Sequence, residues 1–236
     1  MKSPSVSPAV EFLLDLVFPK HCQNCNCEGN YLCISCQTEI ETPPEKCPVC
    51  AKLSLLGRAH ESCQTKSKPL TGLLVAASYH LESVRKLIWH FKYSGVKEAG
   101  NTLADLLVDS LVEKELIDYF ADSVVIPVPL HKSRQKLRGF NQAEYLAAVL
   151  ADKLNLVFLP FLRKIKNTRS QVELEKAERL KNLQNAFAIT SEQKLNAKKV
   201  LLVDDVSSTS ATLQECARLI KRQGASEIWG LVVARN

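Results

Sequence analysis

Val200-Leu-Leu-Val-Asp-Asp-Val-Ser-Ser-Thr-Ser-Ala-Thr-Leu213 is the stretch that decides how this chain folds. Four apolar residues run into two adjacent carboxylates, Asp204 and Asp205, and then into small hydroxyl residues that open a helical period. That order predicts a buried strand, a short loop and a helix N-terminus, and open α/β sheets carry their ligands at such strand ends. A helix N-terminus offers unpaired amides and the positive end of a dipole, both suited to a phosphate. Ser207, Ser208, Thr209 and Thr212 add hydroxyl donors. Carboxylates repel a phosphate directly, so Asp204 and Asp205 are expected to meet sugar hydroxyls or a magnesium ion, which takes one or two carboxylates together with phosphate oxygens. The competing reading needs no ligand: paired aspartates after a strand also cap the following helix.

Outward from this stretch, apolar runs of strand length alternate with helical periods from Thr71 onward. Strands are expected at 72–79, 123–127, 156–161, 185–189, 199–204 and 227–233. Helices are expected near 82–92, 97–117, 141–154, 174–182 and 210–223. Such alternation argues for an α/β fold with a mostly parallel sheet covered by helices. Asn141 with Glu144 three residues into the helix, and Phe140 with Tyr145, read as a capping box and a hydrophobic staple. Lys221, Arg222 and Gly224 mark the end of the last helix. Trp89, Trp229 and Cys216 are expected in the core.

The region before the sheet differs in kind. Eight of the nine cysteines precede residue 64, in the pairs Cys22-x2-Cys25, Cys33-x2-Cys36 and Cys47-x2-Cys50, followed by His60-x2-Cys63. A two-residue gap lets both donors of a tight knuckle reach one ion, and two knuckles complete a tetrahedron. Two zinc sites follow, Cys22, Cys25, Cys33 and Cys36, then Cys47, Cys50, His60 and Cys63; a cross-braced use of the same eight ligands stays open. Cys27 is the extra thiol, expected to be free unless it replaces Cys25 or Cys33. Closed four-ligand sites leave no position for a substrate, so the zinc is expected to be structural. A redox dithiol and a disulfide scaffold compete with this reading, but the paired spacing and the absence of an export signal favour a reduced, cytoplasmic, metal-bound module. The expected organisation is a lead helix at 1–18, a double zinc module at 19–68 and an α/β domain at 69–236.

Charge narrows the classes of ligand. The chain carries a formal net charge of +6. Residues 1–70 hold seven Lys/Arg and seven Asp/Glu, so the excess lies beyond them. Within 128–169 nine basic residues face only Glu144 and Asp152, a local surplus that suits phosphates or a polyanion. The bland alternative for 132–138 is a solvated surface. No segment is long and apolar enough to span a bilayer.

The 200–213 stretch resembles the phosphoribosyl-pyrophosphate motif of type I phosphoribosyltransferases. Further motifs resemble the competence protein F (ComF, or GntX-like) family: Phe12 to Pro19, His90-Phe-Lys-Tyr93, Pro127-Val-Pro-Leu130, Arg134, Arg138-Gly-Phe-Asn-Gln142 and Asn182 to Phe187. The resemblance runs along essentially the whole chain, and Arg-Gly-Phe-Asn-Gln is its most specific part. It implies a type I phosphoribosyltransferase fold in which Asp204 and Asp205 contact ribose hydroxyls and bind Mg²⁺ with phosphoribosyl pyrophosphate. It also implies that Val206, Ser207, Ser208, Thr209, Ser210, Ala211 and Thr212 cradle the 5′-phosphate, and that Arg134 and Arg138 lie near the pyrophosphate. Residues 163–180 match a mobile loop whose Lys164, Lys166, Arg169 and Arg179 screen the leaving group. The implied role is support of single-stranded DNA uptake in natural transformation, with DNA-uptake machinery proteins as partners. A salvage phosphoribosyltransferase and a regulator sensing the sugar diphosphate are the alternatives. One departure stands out: Ser210 replaces a glycine usual in the family. Either its backbone is ordinary and its hydroxyl is available, or phosphate affinity is weakened.

Overall fold

The computed structural model describes residues 19–94, 96–168, 183–190 and 194–235. The helices expected over 1–18 and 174–182 lie outside the described residues, as do Arg169 and Arg179. Among the described residues seven strands follow in chain order: β1 (Gly72–Ser78), β2 (Val124–Pro127), β3 (Val157–Phe158), β4 (Leu162–Lys164), β5 (Phe187–Ile189), β6 (Lys199–Ser207) and β7 (Glu227–Arg235). The α-helices are α1 (Ile34–Thr38), α2 (Glu82–Tyr93), α3 (Lys97–Glu113), α4 (Lys132–Arg138), α5 (Gln142–Lys153) and α6 (Ala211–Arg222).

Five strands form one parallel sheet in the order β1-β7-β6-β2-β3. The central strands are apolar on both faces because helices cover both. Leu201 and Val203 of β6 pack with Phe91 of α2, Leu107 of α3 and Leu146 of α5. Val200 and Leu202, pointing the other way, pack with Leu213, Cys216 and Ile220 of α6. Trp229 is fully buried, as the sequence predicts, and its ring fits because β1 carries no side chain at Gly72: a Cβ there would stand 2.3 Å from the indole.

Two expected strands do not join this sheet as drawn. The run 156–161 pairs with β2 only over Val157 and Phe158. Pro160 has no amide to extend the ladder, and the chain turns away into β4. The run 185–189 becomes β5, which pairs antiparallel with β4 in a separate two-stranded ribbon. Helix α3 ends at Glu113 rather than 117, and Glu115 beyond it takes a positive φ of 53°. Asn141 sits at the N-cap of α5, but its side-chain amide donates to the Val128 carbonyl at 3.2 Å instead of capping the helix. The staple does form, with the Phe140 and Tyr145 rings 6.1 Å apart.

Residues 19–68 are built from turns, α1 and short 3-10 segments. They are seated on the sheet domain rather than tethered beside it. Cys22, Leu32 and Cys36 join the α2–α3 core. Gln37 donates to Asp109 at 2.7 Å, Lys114 pairs with Glu45 at 3.4 Å, and the Arg58 guanidinium lies 5.0 Å from the Trp229 ring centroid.

Candidate functional site

The acid pair lies at the carboxyl end of the sheet, still within β6, which runs three residues further than its apolar pattern predicts. The Asp205 amide donates to Asp204 Oδ1 at 2.9 Å. Lys92, from α2, holds Asp205 Oδ1 at 3.0 Å, both side chains being mostly buried. Burial, and then repulsion from Asp205, push the Asp204 carboxyl up to about 7, against the opposing pull of the Asp205 amide, Lys92 and Lys164. A carboxylate pair with one member reluctant to ionise is poised to gain from a cation or from sugar hydroxyls.

After β6 the chain makes one tight step into α6. Ser210 is the N-cap, buried, with φ 57° and ψ 8°, so the ordinary conformation is not the one adopted. The residue takes the left-handed geometry for which glycine is favoured. Its hydroxyl and that of Thr209 are buried without a hydrogen-bond partner among the described residues. The Ser210 carbonyl receives the Gln214 amide at 2.9 Å, which starts the helix.

Asp204, Asp205, Val206, Ser208 and Thr212 open on a cavity of about 740 Å³. Arg134, Arg138 and Lys164 line it too. Thr209 and Ala211 face a separate groove beside Pro48 and Val49, and Ser207 is buried at the strand end. The basic run 128–169 is therefore not one surface. Arg134 is fixed by a bond to the Thr168 carbonyl at 2.9 Å, and Arg138 by Gln142 at 3.2 Å and the Tyr93 ring at 5.4 Å. Burial, then Arg134, lower the Lys164 pKa. Lys153 instead pairs with Asp105 at 2.9 Å, and Lys166 donates to the Gln184 carbonyl.

Sequence reasoning missed two features here. Lys92 appears in it only as part of a motif, and Trp89, expected in the core, is 55% exposed beside the cavity. A signal for both was present. Val84, Leu87, Ile88 and Phe91 make the buried face of α2, which leaves residues 85, 89, 92 and 93 on the other side.

The cysteine region brings its donors together in sequential groups. Sulfurs of Cys22, Cys25, Cys27 and Cys33 lie within 4.8 Å of one another, as do the donor atoms of Cys47, Cys50, His60 and Cys63. Cys25 and Cys33 sulfurs are 3.6 Å apart. That distance is far too long for a disulfide and close to the edge of about 3.8 Å expected for a tetrahedron with Zn–S near 2.3 Å. Cys50 Sγ and His60 Nδ1 are 3.4 Å apart, while His60 Nε2 faces the Leu53 carbonyl at 3.2 Å, the outer-shell bond that orients a metal-binding imidazole. Burial works against the Cys47 thiolate, but the backbone of Cys50, His60 and Val49 outweighs it and brings the pKa to about 6. Both groups can hold a metal ion, and their soft donors suit zinc. Five sulfurs therefore gather at the first site: Cys27 joins Cys22, Cys25 and Cys33, and the Cys36 thiol hydrogen-bonds with those of Cys33, Cys25 and Cys22. The Cys36 sulfur also accepts from Asn24 at 3.4 Å.

The strand, acid pair and loop lie within residues 141–236, which match the phosphoribosyl transferase domain. The chain is 33% identical over 220 residues to competence protein F of Haemophilus influenzae, covering 91% of this chain and 96% of that protein. It belongs to the competence protein F family. Other relatives are similar over most of their length: 29% identity to the DNA utilization protein YhgH of Salmonella typhimurium, across 85% of this chain and 89% of that one, and 29% to competence protein ComFC of Streptococcus pneumoniae, across 85% and 86%. The fold is that of a phosphoribosyltransferase, a mostly parallel sheet with helices, preceded in this family member by a cysteine-rich region able to bind metal. No helix among the described residues is long and apolar enough to cross a membrane.

Proposed function

We propose that this chain binds phosphoribosyl pyrophosphate at the carboxyl end of its sheet and serves the handling of single-stranded DNA in natural transformation, in the cytoplasm and with DNA-uptake proteins as partners. The observation that carries the binding reading is the joining of an acid pair, hydroxyl residues at a helix start and three basic side chains in one cavity. Asp204 and Asp205 would hold the ribose hydroxyls and Mg²⁺. The donor set fits, because a cation offsets the burial, and then the repulsion from Asp205, that raise Asp204. Val206, Ser208 and Thr212, which line the cavity, would take the 5′-phosphate, and Arg134, Arg138 and Lys164 the pyrophosphate. When bound, Mg²⁺ supplies charge neutralisation on the diphosphate oxygens. The zinc ions would be structural.

A thermal-shift series with phosphoribosyl pyrophosphate and Mg²⁺ tests the reading. Stabilisation that grows with ligand and disappears in Asp204→Asn/Asp205→Asn is expected; no stabilisation at saturating ligand overturns it. The cavity extends past the acid pair to α2, which favours transfer of the phosphoribosyl group to an acceptor as the second reading. Pyrophosphate release in the presence of a base would support transfer. Binding without release across a broad acceptor screen would leave a ligand-sensing protein.

A further inference from the structure

Helix α2 packs Val84, Leu87, Ile88 and Phe91 inward, so its outer face should be polar. Instead that face carries Trp89, 55% exposed, and Tyr93, 60% exposed, with ring centroids 6.0 Å apart and planes tilted by 46°. Large aromatic faces left in water mark a binding surface more often than a solvated one. Both rings line the cavity that Asp204 and Asp205 also line. The polar neighbours of the rings are cationic. Arg85, Lys86, Lys92, Arg134, Arg138 and Lys164 share this cavity with only two acids. Lys86 is answered by Glu82 at 2.9 Å and Lys92 by Asp205, which still leaves the lining positive. Arg138 already lies over one face of Tyr93.

An apolar peptide would find too little hydrophobic area here and too much charge. Stacking faces set among cations suit a nucleobase and its phosphates. We propose that Trp89 and Tyr93 form a stacking platform for a base of single-stranded nucleic acid, with Arg85 and Arg138 meeting the flanking phosphates. The strand then enters the same cavity that takes the sugar diphosphate, so each ligand alters the affinity for the other by the same factor. This deepens the proposed role in handling single-stranded DNA, and it depends on phosphoribosyl pyrophosphate binding only for that coupling.

The chain's two tryptophans make the test direct. Trp229 is fully buried, so stacking on an exposed indole reports on Trp89. Titration of the full chain with oligodeoxythymidylate should quench tryptophan fluorescence. The affinity should fall as salt rises, with a slope of roughly 0.7 per phosphate contacted on a log–log plot. By anisotropy of a labelled oligonucleotide, Trp89→Ala should bind about tenfold to a hundredfold more weakly, and Trp89→Phe, which keeps a stacking face, should recover most of the loss. An unchanged melting temperature in Trp89→Ala keeps misfolding from imitating the result. The proposal is overturned if the oligonucleotide causes no quench, if Trp89→Ala binds as tightly as the parent, or if free thymine quenches as well as the oligonucleotide does, which would make this a pocket for a small acceptor. A parent chain that is stabilised by phosphoribosyl pyrophosphate yet shows no oligonucleotide quench fails the platform alone. A chain that is quenched but not stabilised fails the diphosphate site alone.

Discussion

Between residues 19 and 68 the buried apolar side chains are few: Leu32, Pro48 and the cysteines Cys22, Cys36 and Cys47. Across the sheet, by contrast, whole strands are buried on both faces, from Val200 to Val203 and from Ile228 to Ala234. The first region gathers two groups of sulfur and nitrogen donors within 4.8 Å; the second gathers leucine, valine and aromatic rings. A segment of some fifty residues cannot bury enough surface on its own to offset its chain entropy, so on the proposed reading metal ligation would do there what burial does in the sheet. The two regions should therefore respond to different insults.

The largest effect should come from removing metal. Structural zinc contributes on the order of 10–16 kcal/mol to the folding of such modules. Metal analysis should find about two zinc ions per chain. A strong chelator, or Cys47→Ser, should open residues 19–68 to proteolysis while the sheet keeps its cooperative melting. A simultaneous collapse of both regions would erase the contrast. Cys27→Ser and Cys36→Ser sharpen it, because the geometry expects the first to lower zinc occupancy more than the second.

The mirror experiment strikes the sheet. Leu201→Ala removes a fully buried side chain from the central strand and should cost about 3–5 kcal/mol in denaturant unfolding, with zinc content unchanged.

A smaller effect belongs to the candidate site. The Asp204 pKa in the folded chain, about 7, lies above its unfolded value. The folded protein therefore keeps a proton that the unfolded chain loses, and this contribution to stability is full below about pH 4 and disappears as pH rises through 7. Asp204→Asn should gain roughly 2–4 kcal/mol over the parent at pH 8, little at pH 4, and lose ligand-induced stabilisation. Equal stability of the two at pH 8 would contradict the strained acid pair.

The smallest effect is at Ser210. With φ at 57°, Ser210→Gly should relieve about 1 kcal/mol of backbone strain. Loss of stability would mean that the buried hydroxyl matters more than the strain.

How far the sequence carried this account follows from what each residue pattern encodes. The run from Val200 specifies a buried strand that ends in twin acids, and the structure has that strand at the centre of the sheet. Apolar runs at 156–161 and 185–189 announce strands, but alternation does not name a partner: the first keeps only Val157 and Phe158 in the main sheet, and the second pairs with β4 outside it. Helix α4 was invisible because Lys132 to Arg138 has one apolar residue, Leu137, and that one is 85% exposed. Its limits rest on local chemistry, the His131 side chain accepting from the Ser133 amide and Gly139 ending it at φ 83°. Trp89 was misplaced by residue type although its position on α2 pointed outward. The spacing of the cysteines predicts sequential groups and the donors gather in sequence, but spacing alone does not separate Cys27 from Cys36 where the turn at Asn26, φ 62°, brings Cys27 beside Cys25 and Cys33.

The central claim is that Asp204 and Asp205 anchor a sugar diphosphate. Isothermal titration of the full chain with phosphoribosyl pyrophosphate in Mg²⁺ tests it most directly. The account predicts saturable binding of one ligand per site, weakened without Mg²⁺ and lost in Asp204→Asn/Asp205→Asn. Absence of binding in the parent, or binding undiminished in the double variant, would contradict it.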